Sequence, residues 1–147
     1  MKKLIFIALA IFTFSSCVRD NFITETNYVE PFFFTRFVEI HRSDWRRGND
    51  DVHGVHYWFE VRETTLTRRV FERGTMQAFL VYDRNGSERI SPLPFSDFFV
   101  ADNGVRWEEH ITVEFEIGYI TFIIKNDDQV FERPFFDTYE FMVRFLW

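Results

Sequence analysis

The sequence predicts an all-β fold: an antiparallel β-sandwich, immunoglobulin-like or similar, with one short helix or helical turn. Three observations carry that prediction. Segments such as Ile111–Ile117 alternate apolar and polar residues with the period of a strand that has one wet face. Turn chemistry recurs between them, in Asn85-Gly86, Pro92-Leu93-Pro94, Asn103-Gly104 and Asn126-Asp127-Asp128. Only one stretch, Thr64–Gly74, repeats with a helical period. Many short strands with a single helical turn fit a sandwich or small barrel.

The chain opens with Lys2-Lys3, an apolar run Leu4–Phe14, then Ser15-Ser16-Cys17. A charged start, a short apolar middle and a small-residue exit form the layout of a secretory signal. The apolar run is too short to span a bilayer comfortably. The ending Phe14-Ser15-Ser16-Cys17 resembles a loose bacterial lipobox, which implies cleavage before Cys17 and diacylglyceryl attachment to its sulfur. Cys17 is the only cysteine, so an exported chain has no internal bridge to make with it. The expected organisation is a signal over 1–16, a lipidated tether over 17–30 and a β-sandwich over 31–147. Removing the signal leaves about 130 of the 147 residues, enough for a core without disulfides.

Phe32–His41 is the first expected strand, with Phe34, Arg36, Val38 and Ile40 on one face. Arg46–Gly54 reads as a loop. Val55–Val61 is a strand with Val55, Tyr57, Phe59 and Val61 on one side and His56, Trp58 and Glu60 on the other. In Thr64–Gly74 the residues Leu66, Val70 and Arg73 share a helical face. Thr64 or Thr65 is placed to cap its start, and Gly74 suits a left-handed position after its end. Thr75–Tyr82 and Glu88–Ser91 flank the first Asn-Gly. Phe98-Phe99-Val100 and Val105-Arg106-Trp107 flank the second. In Ile111–Ile117 the apolar set is Ile111, Val113, Phe115 and Ile117. Tyr119–Lys125 is apolar on both faces, which predicts a central strand. Thr138–Trp147 closes the chain with Tyr139, Phe141, Val143, Phe145 and Trp147 on one face.

An ordered set of residues resembles a group of small Bacteroidota lipoproteins. The set is Asp44-Trp45, Tyr57-Trp58-Phe59, Leu66-Thr67 with Val70 and Gly74, Phe79-Leu80-Val81-Tyr82, Pro92-Leu93-Pro94-Phe95, Phe115 with Gly118, and Ile120-Thr121-Phe122. The resemblance covers most of the chain after the signal. It implies a β-sandwich behind a lipobox and brings no catalytic motif. The chain departs from that pattern in its charged segment 46–54 and in Phe131–Phe136.

The net charge of −6 argues against nucleic acid, which selects a basic surface. After the signal every cation but Lys125 is arginine, and with 21 phenylalanines present, guanidinium groups resting on aromatic faces are expected. His53 and His56, beside Asp50 and Asp51, offer zinc-type donors, but strand residues three apart point to opposite faces, so a solvated loop is expected and no metal is assigned. Asn49-Asp50-Asp51 and Asn126-Asp127-Asp128 carry oxygens of the kind calcium takes, and turns use the same residues. Glu108-Glu109 and the pair Glu114 and Glu116 are candidate catalytic carboxylates, with the second pair expected on the wet face. Gly-x-Ser-x-Gly, phosphate-loop and dinucleotide signatures are missing from the sequence. Trp45, Trp58 and Trp107 are candidate contacts for a glycan or a protein partner, against the alternative that such rings form core.

The expected function is thus a membrane-anchored envelope lipoprotein, a non-catalytic binding or structural module without a cofactor, held by lipid on Cys17 at the outer membrane. The alternatives are a carbohydrate-binding lipoprotein and a hydrolase with an unrecognised carboxylate site.

Overall fold

The computed structural model describes residues 32–83, 86–100, 104, 106–126, 134 and 136–147. All belong to the compact unit Pro31–Trp147. The expectations for the signal, Cys17 and the tether fall outside these residues, as do Asn85, Asp102, Asn103, Asp127 and Asp128. Nine strands are described: β1 (Phe33–His41), β2 (Arg46–Asp50), β3 (Gly54–Arg62), β4 (Thr75–Asp83), β5 (Glu88–Pro92), β6 (Phe95–Val100), β7 (Arg106–Glu116), β8 (Tyr119–Asn126) and β9 (Thr138–Leu146). One helix, α1 (Arg68–Arg73), and a 3-10 turn at Arg42–Asp44 accompany them. They form two antiparallel sheets, ordered β1-β9-β4-β5 and β2-β3-β8-β7-β6. The protein is an all-β sandwich.

The predicted central strand, β8, is central for the predicted reason. β8 lies between β3 and β7, and Ile120, Phe122, Ile123 and Ile124 on its two faces are all buried. β9 lies between β1 and β4, with Tyr139, Phe141, Val143 and Phe145 turned into the core. The layers meet where Phe122 of β8 stacks on Phe141 of β9, ring centroids 4.2 Å apart. Trp45 closes edge-on against two rings of β9, 5.5 Å from Tyr139 and 6.4 Å from Phe141. Each such ring contributes about 1.5–3 kcal/mol by leaving water.

α1 carries the chain from β3 to β4, buries Val70 and follows the buried Leu66. Its start is capped by Thr67, whose hydroxyl accepts from the Val70 amide at 3.4 Å, and not by Thr64 or Thr65. Gly74 is not left-handed, with φ −91°. It is glycine for space: a Cβ there would meet the Val70 carbonyl oxygen at 2.6 Å and that of Leu146 at 2.9 Å.

Two further expectations are corrected. Arg46–Asp50, read as loop, is strand β2. Its charged side chains show no alternation because an edge strand with exposed side chains has no buried face to encode. Pairing with β3 (Arg46 opposite Trp58, Gly48 opposite His56) holds it extended. Ile117 does not extend the apolar face of β7. The strand stops at Glu116, and Ile117 sits exposed in the turn completed by Gly118 at φ 88°.

Candidate functional site

The hairpin joining β2 to β3 gathers the densest cluster of ligand-type side chains among the described residues. Asp50 pairs with Gly54, so Asp51, Val52 and His53 form a three-residue loop, and Gly54 supplies the positive φ of 65° that such a loop needs. Asp50 makes the turn. Its Oδ1 accepts from the amides of Val52 at 2.9 Å and His53 at 2.6 Å. The His53 backbone N–H is the largest influence on that carboxyl and holds its pKa below the usual aspartate value.

The carboxylate also faces the side chains, with His53 Nδ1 3.3 Å from Oδ1 as well. His53 Nδ1 lies 3.3 Å from Asp50 Oδ2, and His56 Nε2 lies 3.7 Å from the same atom. The two imidazoles are 5.2 Å apart between centroids. One donor atom from each of Asp50, His53 and His56 fits within 4.8 Å of the others. Alternation predicted that His53 and His56 diverge. It fails because the strand begins at Gly54, so His53 belongs to the turn and strand parity does not reach it. His56 does lie on the outer face, yet it is only 6 % exposed.

Two contacts orient these rings. His56 Nδ1 is 2.8 Å from the Gly54 carbonyl oxygen, an acceptor, so Nδ1 carries a proton and Nε2 is the nitrogen turned to Asp50. His53 Nε2 is 3.0 Å from Glu114 Oε1 on β7, a strand that is not a neighbour of the hairpin. Glu114, expected as an ordinary surface acid beside Glu116, therefore pins the hairpin tip. Gly48 completes the site. A Cβ there would come within 2.6 Å of His56 Nε2, so only glycine leaves the ring its place across the strand pair. Sequence reasoning missed Gly48 and Glu114. The glycine had a readable signal, since glycine inside a strand marks a close approach.

The tryptophans do not form a platform. Trp45 is 8 % and Trp107 2 % exposed, and aromatic contacts in the core account for Trp45. Trp58 is half-buried, with the Arg46 guanidinium 5.1 Å from its ring centroid. This contact and Arg144 over Phe79 at 5.3 Å are the cation–ring pairs that the arginine-rich composition led one to expect. The carboxylate pair Glu108-Glu109 is also split. Glu109 is buried and accepts from the Tyr139 hydroxyl at 2.7 Å, while Glu108 is half-exposed. A cleft of about 600 Å³ opens beside Trp45, lined by His41, Arg42, Arg47, Tyr57 and Asp137 among others. Its acid, Asp137, is tied to Arg42 at 2.9 Å.

Comparison with protein-family models, with curated proteins and with solved structures returns no match.

Proposed function

We propose that the chain is an exported lipoprotein of the cell envelope, in which Cys17 carries lipid and the β-sandwich serves as a non-catalytic binding or structural module at the outer membrane. The observation that carries this reading is the order Lys2-Lys3, Leu4–Phe14, Ser15-Ser16-Cys17, with no second cysteine to occupy the thiol otherwise. The residues that resemble the Bacteroidota lipoproteins support it. Each buried methylene of an acyl chain contributes about 0.8 kcal/mol, and stable anchoring takes two chains, so a diacylglyceryl group suffices to hold the domain. The partner is an envelope protein or glycan. A glycan would have to be met by means other than the three tryptophans together, since two of them are buried.

Metabolic labelling with an alkynyl fatty acid tests the proposal. The wild-type chain takes up the label and fractionates with outer membrane. Cys17→Ala loses the label and accumulates as uncleaved precursor. Unlabelled wild-type protein that retains Met1 would overturn the reading.

A further inference from the structure

We propose that Asp50, His53 and His56 bind a divalent transition-metal ion of the zinc class, with Glu114 as the outer carboxylate that orients His53. The argument is geometric and independent of the lipid anchor. A tetrahedral zinc ion with ligands at about 2.0–2.1 Å separates its ligand atoms by about 3.4 Å. Asp50 Oδ2 stands 3.3 Å from His53 Nδ1 and 3.7 Å from His56 Nε2, so two edges of the ligand triangle already have that length. One donor atom from each of the three residues lies within 4.8 Å of the others.

The protonation pattern fits as well. Metal-binding histidines donate their other ring N–H to a carboxylate or a backbone carbonyl, which fixes the tautomer. His53 meets Glu114 and His56 meets the Gly54 carbonyl in this way. With the outward nitrogens carrying the proton, the neutral rings present Nδ1 of His53 and Nε2 of His56 as lone-pair donors to an ion. Imidazole and carboxylate ligands suit zinc and its neighbours rather than calcium or magnesium. Three protein donors leave a fourth position for water or a partner's group. The cluster is held from both sides: the Asx turn fixes Asp50, and the bare Gly48 admits the His56 ring. The rival occupant is a proton, because a doubly protonated His53 would donate to Asp50 and Glu114 at once.

Calorimetric titration of zinc chloride into the chelator-treated full-length chain in detergent, with any free Cys17 thiol alkylated, tests this. One zinc ion per chain is expected. Asp50→Asn keeps the turn, since a carboxamide oxygen accepts the same two N–H bonds, and is expected to lose stoichiometric binding while melting as a folded protein. His53→Ala should do likewise. Glu114→Gln should weaken binding by about 10–100-fold. Absence of binding to the wild type, or binding that Asp50→Asn and His53→Ala leave unchanged, overturns the proposal. The first result would leave the proton as the occupant of His53, and the second would put the ion on other histidines such as His41 and His110.

Discussion

The interior of the sandwich and the tip of the β2–β3 hairpin both fix polar side chains in place, and they do it by opposite means. In the interior the carboxyl of Glu109 is fully buried and receives the Tyr139 hydroxyl at 2.7 Å. At the tip Asp50, His53, His56 and Glu114 hold one another through polar contacts. The difference teaches where sensitivity lies. The interior rests on area removed from water, so it responds to lost volume. The tip rests on a few directed contacts, so it responds to single atoms.

The largest effect should come from the interior. Phe141→Ala removes the ring that stacks on Phe122 and faces Trp45, and a cost of about 3–5 kcal/mol in chemical denaturation is expected. A cost below about 1 kcal/mol would mean the two layers do not depend on that contact. Tyr139→Phe keeps the ring and deletes one hydroxyl. That hydroxyl donates to the buried Glu109 and accepts from the Phe136 amide, and a loss of about 1–3 kcal/mol is expected. The contrast with Phe141→Ala separates area from hydrogen bonding within one core.

Much of the interior was legible in the sequence, and most of the tip was not. The apolar sets of β7 as far as Phe115 and of β9 are read directly from alternation, and β8 from being apolar on both faces, because these strands pack into the core. Edge strand β2 has no such constraint, so Arg46–Asp50 reads as loop. The helix segment was placed, but its cap was shifted, since three threonines in four positions offer the same hydroxyl and only the tertiary fold selects Thr67. Glu109, read only as one of a possible carboxylate pair with Glu108, meets Tyr139 on another strand, a contact that local pattern does not carry. The same holds for Glu114, which meets His53 across 61 residues of sequence. The tryptophans show the reverse: an aromatic side chain does not reveal from sequence which face it takes, and Trp45 and Trp107 went inward.

Smaller effects sharpen the tip. Gly48→Ala forces its Cβ against His56 Nε2 and Cε1, at 2.6 and 2.8 Å, so the ring must move. Overpacking of this kind costs about 1–3 kcal/mol. A value near the lower end is expected for an edge strand, together with a shifted His56 ring resonance in NMR. An unshifted resonance would contradict the close approach. The smallest effect is acid dependence. The folded-state pKa of Asp50 is lowered, chiefly by the His53 amide, so its contribution is present above the unfolded value and is lost as pH falls through the lowered folded value. Amide exchange at Val52 and His53 should therefore quicken on the acid side of the usual aspartate range, beyond the intrinsic pH dependence of exchange. Asp50→Asn should remove that step.

The hairpin tip as a metal centre is most directly examined by anomalous diffraction at the zinc edge from crystals of the chain grown with zinc. The geometry calls for one peak lying between Asp50, His53 and His56, about 2.0–2.1 Å from each ligand atom. A map with no peak in that triangle, while zinc appears elsewhere on the molecule, would contradict it.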